Sequence, residues 1–295
     1  MKKDKVIVLG FFDGVHLAHQ KLITLAKTRA DELGLPLMVH TYDLSPKMVR
    51  SGVHNETLLS PEKKIEIFKC LGANEIYVEH FDENFAHKTP QEFIEYIEGF
   101  HPHTVVVGYD YTFGCNKSGK AQDLKGDFET IIMPKETLHD TKISSSEIRN
   151  LIAKGELDKV EEYLGTRYEI TGEVVHGRAL GRTIGFPTAN VEADYECMVP
   201  DDGVYATLIK VKDKKYPSMT SVGTNETVSD SNKRTIETNI FNFDEDIYGE
   251  TVTVEFIKKI RDMVKFSSLD ELKNQIETDR EEIKRDFDLH PHPVL

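Results

Sequence analysis

In the first half of the chain, short apolar runs alternate with amphipathic stretches. The runs fall at residues 6–9, 37–42, 75–78, 104–107 and 130–133. Such lengths suit strands buried on both faces. After the first run, Leu22, Ile23, Leu25, Ala26 and Leu33 recur at helical spacing. Ser60-Pro61-Glu62 opens another helix, with Pro at its first position. Thr89-Pro90-Gln91-Glu92 opens a third through a capping box and sets Phe93, Ile97 and Phe100 on one face. This alternation predicts βαβ units and a parallel sheet covered by helices on both sides. Ligands of such sheets bind outside the carboxyl ends of the strands.

Beyond Arg149 the pattern predicts one short helix through Leu151, Ile152, Leu157, Val160 and Leu164. From residue 165 the period changes. Alternating strands are expected at 168–175, 203–211, 216–222, 235–241 and 251–257, separated by turn residues. That spacing suits a small closed β-barrel. Ser268-Leu269-Asp270-Glu271 starts a final helix, with Leu269, Leu272, Ile276, Ile283 and Phe287 as its core stripe. The charges between them read as a solvated face. His290-Pro291-His292-Pro293 reads as a frayed tail. The expected domains are therefore an α/β domain at 1–164 and a barrel with a terminal helix at 165–295.

The chain of 295 residues carries a formal charge of −14. That disfavours nucleic-acid partners, which need clustered cations. The run at 6–9 is far too short for a signal core or a membrane span. Cys70, Cys115 and Cys197 are scattered, without a CxxC. This argues against a disulfide framework or structural zinc and for a reducing cytoplasm. Oligomeric state stays open.

Three segments sit where the sheet would bind a ligand. Gly10-Phe11-Phe12-Asp13-Gly14-Val15-His16-Leu17-Ala18-His19 links a strand to a helix, whose N-terminus attracts phosphate. His16 and His19, at i and i+3, face one side and suit charge developing at phosphorus. A plain helix start is the other reading. Ile143-Ser144-Ser145-Ser146-Glu147-Ile148-Arg149 fits a capping box through Ser144 and Glu147. The same hydroxyls, free amides and guanidinium suit phosphate oxygens. Val105-Val106-Val107-Gly108-Tyr109-Asp110-Tyr111-Thr112-Phe113-Gly114 ends a strand in a glycine-flanked loop.

In the second half, Gly181-Arg182-Thr183-Ile184-Gly185-Phe186-Pro187-Thr188-Ala189-Asn190 stands apart. Its glycines let backbone N–H groups approach phosphates. Thr188 and Asn190, at i and i+2 on an extended segment, point to one side. Two neutral oxygen donors there suit Mg²⁺, which keeps substrate phosphates as ligands. A Gly/Pro turn between strands is the alternative.

This string resembles the riboflavin kinase signature. Val174-Val175-His176-Gly177 precedes it, and Gly203-Val204-Tyr205-Ala206 follows. Ile236-Glu237, Tyr248-Gly249, Ile260-Arg261, Lys265-Phe266, Leu272 and Gln275-Ile276 extend the likeness over roughly 165–287. The N-terminal motif is similar to the GxFDGxHxGH of nucleotidyltransferases, with Ala18 for a glycine. The other two segments resemble that superfamily's VVGxDFxFG and ISSTxIR. Leu164-Gly165-Thr166-Arg167-Tyr168 resembles the LLGRPY hinge between two such domains.

Taken together, the chain resembles the bifunctional riboflavin kinase/FMN adenylyltransferases of bacteria. The resemblance implies a Rossmann-like nucleotidyltransferase domain followed by a riboflavin-kinase-like barrel, with ATP, riboflavin, FMN and FAD as substrates or products and Mg²⁺ as cofactor. It assigns catalysis to Glu237 as base and to His16, His19 and Arg149. It gives adenylyltransferase ATP contacts to Gly10, Phe12, Asp13, Gly14, Asp110, Ser144 and Ser145. Kinase ATP contacts fall to Gly181, Arg182, Gly185, Thr188 and Asn190, the last two also holding Mg²⁺. Arg261 and Phe266 are assigned to flavin.

Four departures from the family pattern accompany this. Tyr42-Asp43-Leu44-Ser45-Pro46 replaces a Pro-His-Pro string, and Ala18 replaces glycine. Leu180 stands for a common arginine, and Glu226 for a proline beside the expected phosphates. A like-charge contact at ~4 Å costs on the order of 4 kcal/mol at an effective dielectric near 20. Two further readings therefore stay open: an adenylyltransferase with a silent kinase module, and a non-enzymatic flavin or nucleotide sensor.

Overall fold

The computed structural model describes residues 4–52, 56–177, 181, 184–193, 195–224 and 234–289. Backbone contacts divide the chain into two compact units, Met1–Ser145 and Ser146–Leu295.

The first unit is built on strands β1 (Lys5–Leu9), β2 (Leu37–Tyr42), β3 (Glu75–Glu79) and β4 (Pro102–Gly108). Short strands β5 (Thr112–Phe113) and β6 (Gly119–Lys120) follow, then β7 (Glu129–Met133). A small hairpin, β8 (Thr137–Leu138) and β9 (Thr141–Lys142), ends the series. Helices α1 (Leu17–Leu33), α2 (Pro46–Ser51), α3 (Pro61–Cys70), α4 (Glu83–Ala86) and α5 (Pro90–Glu98) intervene. The sheet is parallel throughout, in the order β3-β2-β1-β4-β7.

Period-2 alternation gives the sheet two buried faces. Ile7 and Leu9 join Met38, Val105, Phe85 and Phe93 on one; Val6 and Val8 join Val39, Val106, Ile23 and Phe68 on the other. The expected caps are present. Ser60 Oγ accepts from Lys63 N–H at 3.1 Å, and Thr89 and Glu92 form the reciprocal box. The chain runs outward from β1 to β3, then returns to place β4 on the opposite side of β1. The strand order thus reverses between β1 and β4, where open α/β sheets bind ligands.

In the second unit the expected single helix is two. α6 (Ser145–Ala153) and α7 (Leu157–Leu164) are broken at Gly155, whose φ of 71° is a left-handed conformation. The barrel follows: β10 (Tyr168–Val175), β11 (Ala189–Ala193), β12 (Gly203–Val211), β13 (Lys214–Thr224), β14 (Arg234–Ile240) and β15 (Thr251–Arg261). It closes antiparallel in the order β10-β11-β14-β13-β12-β15. β11 was not expected as a strand. It is short, begins beside Pro187, and gains its ladder from β10 and β14, which lie far off in sequence. Inside the barrel, the hydroxyls of Thr207, Ser218, Thr220 and Thr238 form a fully buried chain with O···O distances of 2.8–2.9 Å.

The C-terminal helix (Leu269–Leu289) packs Ile276, Ile283 and Phe287 onto Val204, Ala206, Leu208, Met219 and Ile257. Two details differ from the expected stripe. Leu269 is 65% exposed, because it lies in the first turn, beyond that apolar patch. Asp279, expected on the solvated face, is buried and pairs with Arg261 at 2.8 Å. The tail at 290–293 lies outside the described residues.

Candidate functional sites

The first motif turns the chain sharply between β1 and α1. A short 3-10 turn, Asp13–Val15, carries Gly14 at φ 76°, while Phe12 and Val15 also take positive φ, at 55° and 37°. A β-branched residue in that region is a backbone outlier held by its surroundings. Phe12 is buried edge-on to His19 and Phe68. The Asp13 carboxylate is also buried and accepts from Leu58 N–H at 3.0 Å. The turn delivers His16 as the N-cap of α1. Its Nδ1 accepts from His19 N–H at 3.3 Å, which places the proton of the neutral ring on Nε2. The two imidazoles stack with centroids 3.6 Å apart. Burial lowers His16 to about 4 and holds His19 well below the usual range, so both rings are neutral at pH 7.

A cavity of about 320 Å³ opens at this turn. Of the sequence-predicted residues, Gly10, Phe12, Asp13, His19, Asp110 and Ser145 line it. Ser145, the last residue of the first unit, donates from Oγ to the Asp13 carbonyl at 3.0 Å. Gly14 and His16 stand within the same turn and cap. Ser144 immediately precedes α6, and Arg149 lies one turn along it, within the second unit. The Asp110 carboxylate pairs with Lys142 at 2.6 Å.

The lining also holds the aromatic residues Tyr42, Phe81, Phe85, Tyr111 and Phe113 and the cations Arg50 and Lys117, with Arg50 over the Phe81 ring. The altered Tyr42–Pro46 segment contributes to this lining. Asp43 turns away to pair with His80 at 2.6 Å and to accept from Phe81 N–H, while Pro46 starts α2 and lines the cavity. Ala18 packs its methyl against the core beneath α1.

Lys64 was missed from sequence. Its ammonium is buried, donates to the Phe11 carbonyl, Thr41 Oγ1 and the Tyr42 carbonyl at 3.1–3.2 Å, and sits 4.9 Å from the Phe11 ring centre. Burial lowers its pKa to about 8. In Pro61-Glu62-Lys63-Lys64 nothing distinguishes this lysine; only the helix phase turns it inward.

The second unit gathers the kinase-type residues on one barrel wall. β11 places Asn190 directly opposite Glu237 of β14, and residues paired in this way share a face. Thr188 joins them, with Oγ1 3.5 Å from Glu237 Oε2. Asn190 is held close: a methyl added at Gly177 would collide with its carboxamide. Gly181 closes a tight turn by accepting from Ile184 and Phe186 N–H at 3.2 and 2.8 Å, and Gly185 sits at φ 90°. Asn239 Nδ2 donates to the Pro187 carbonyl at 2.7 Å, fixing the segment just before Thr188.

A cavity of about 350 Å³ adjoins Thr188, between Pro187 and the loop carrying Phe243, Asp244 and Tyr248. Arg261 is committed to Asp279 and lies 5.7 Å from the Phe266 ring centre. Arg182, Leu180 and Glu226 lie outside the described residues.

The comparisons agree with both halves. The FAD synthetase family model matches residues 1–147, and the riboflavin kinase family model matches 164–287. The bifunctional riboflavin kinase/FMN adenylyltransferase of Listeria monocytogenes is 38% identical over 96% of this chain and 93% of its own. That of Bacillus subtilis is 39% identical over 96% and 92%. A solved structure described as a macrolide-efflux protein from Streptococcus pneumoniae is 40% identical, with a TM-score of 0.89 over 96% of this chain and 95% of that one. The chain belongs to the bifunctional riboflavin kinase/FMN adenylyltransferase family. Among the described residues no helix is long and apolar enough to cross a membrane.

Proposed function

We propose that this chain makes FMN from riboflavin in its second unit and FAD from FMN in its first. The observation that carries the reading is the match of both family models to one chain, so that the product of one module is a substrate of the other. We divide the two modules near residue 165, at the hinge-like Leu164–Tyr168 string, and take the cytoplasm as the compartment, on three scattered cysteines without a CxxC.

In the kinase module, the riboflavin 5′-hydroxyl attacks the γ-phosphorus of ATP and ADP leaves. Glu237 accepts the hydroxyl proton. Thr188 and Asn190 supply neutral oxygens beside that single carboxylate, a donor set that fits Mg²⁺ with nucleotide phosphates as its remaining ligands. When bound, the ion supplies charge neutralisation on the phosphates. Gly181, Arg182 and Gly185 hold the phosphates through backbone and guanidinium, and Arg261 and Phe266 face the flavin.

In the adenylyltransferase module, an FMN phosphate oxygen attacks the α-phosphorus of ATP and pyrophosphate leaves. The nucleophile is already an anion, so positioning and hydrogen bonding carry the step. Gly10, Phe12, Asp13 and Gly14 shape the turn against the nucleotide. Asp110 releases Lys142 to contact it. His16 and His19 act as neutral donors, and Ser144, Ser145 and Arg149 take the departing pyrophosphate.

The test is chromatography of products from the full chain with Mg–ATP and either riboflavin or FMN, each oxidised or chemically reduced. FMN and FAD are expected from riboflavin. FAD from FMN with riboflavin untouched would reject the kinase half, and no product in any arm would reject both.

A further inference from the structure

Arg50, near the end of α2, lines the adenylyltransferase cavity. Its Nη2 donates to the Gly114 carbonyl at 3.1 Å, and its guanidinium carbon lies 5.6 Å from the Phe81 ring centre. Its Nε is buried without a hydrogen-bond partner, and among the described residues no carboxylate pairs with it. Asp43, which precedes α2, is taken by His80. The guanidinium thus lines the cavity with only the Gly114 bond among the described residues, and it has further N–H groups for an acceptor that a ligand brings.

The surrounding walls say what shape that ligand has. Phe11, Tyr42, Phe81, Phe85, Tyr111 and Phe113 line the same space, a composition that suits a flat ring system. The proposed reaction brings two flat rings, adenine and isoalloxazine. Adenine sets its N1 and N7 acceptors beside the donor amine, so neither edge offers a guanidinium two adjacent acceptors. Isoalloxazine sets each of its two carbonyl oxygens beside an acceptor nitrogen, O2 with N1 and O4 with N5, and such paired acceptors match a guanidinium fork.

We infer that Arg50 is a specificity-determining residue of the adenylyltransferase, hydrogen-bonding the carbonyl edge of the FMN ring. The inference rests on the FAD-forming reading of this module. It assigns Arg50 to binding of one substrate and leaves ATP and the chemical step to the turn at Gly10–His19.

The experiment is steady-state adenylyl transfer by the full chain, with R50M and R50K beside the unaltered protein. R50M should raise the KM for FMN about ten- to a hundredfold, the range expected for a lost charge-assisted hydrogen bond. The KM for ATP and kcat should stay within about twofold. R50K, which keeps the charge but not the fork, should recover only part of the loss. Riboflavin phosphorylation at an unaltered rate reports an intact second unit.

An unchanged KM for FMN would overturn the inference. So would a fall in kcat alone, which would mark Arg50 as a prop for the Gly114 loop. Should R50M fail to fold, 2-thio- and 4-thio-FMN supply a second measurement on the unaltered protein and R50K. The unaltered protein should discriminate against at least one analogue more strongly than R50K does, and equal treatment of both analogues would sink the idea. Absence of FAD from FMN in the unaltered protein would instead sink the underlying reading, before any variant is compared.

Discussion

Three imidazoles of the first unit, those of His16, His19 and His40, are held neutral by burial, and stability should record it. His16 and His40 are lowered from 6.5 to about 4. Above pH 6.5 the folded and unfolded states are both uncharged at these sites. As pH falls from 6.5 towards 4, the unfolded chain takes up protons that the folded chain refuses. Stability therefore drops over that window, by on the order of 2 kcal/mol for each group at pH 5. Urea denaturation at pH 7 and pH 5, followed by circular dichroism, should show the lower midpoint at pH 5, and His40→Gln should lessen the difference. At the sites themselves, His19→Ala should cut FAD formation by at least about a hundredfold while leaving FMN formation intact. Glu237→Gln should do the reverse, by a similar factor; loss of both products in either variant would contradict separate sites. These residues were legible because motifs mark them. Arg50 and Lys64 were not, since each acquires its role from neighbours remote in sequence, Gly114 and Phe81 for one, Phe11 and Thr41 for the other.

Secondary elements were read well wherever the chain carried its own periodicity. β2, β10 and β12 run over the expected spans, and β1, β3, β4 and β7 differ only at their ends. Failures arose where partners decide. β11 exists because β10 and β14 hydrogen-bond it, and α6 parts from α7 because Gly155 turns left-handed. Two expectations belong to this scale. Lys64 ties the carboxyl ends of β1 and β2 together through three acceptors. Lys64→Met should destabilise the first unit by about 2–4 kcal/mol, read from its urea midpoint, by removing three charge-assisted hydrogen bonds at once, even though the Phe11 carbonyl keeps Thr41 Oγ1 as a donor. Gly172 lies where β10 crosses β11 so closely that a methyl would strike the Glu192 carbonyl. Gly172→Ala should therefore lower the thermal midpoint of the second unit by several degrees. An unchanged scan would mean that the strands can separate at no cost.

As a whole, the chain joins a parallel sheet whose strand order reverses beside one candidate site to a barrel that carries the other proposed site on one wall. The barrel's closure also sets when each half can form. The parallel sheet is complete once Met133 has been made, because β7 is its last strand. The barrel shuts only when β15 pairs with β10, bringing Phe256 opposite Tyr168. Pairings of such long sequence separation form slowly and late. During synthesis, then, the unit proposed to consume FMN can take shape on the ribosome while the unit proposed to produce it is still an open ribbon. A stalled or truncated chain ending before Thr251 would carry a finished sheet and a barrel with two unpaired edges, the species most exposed to aggregation and proteolysis.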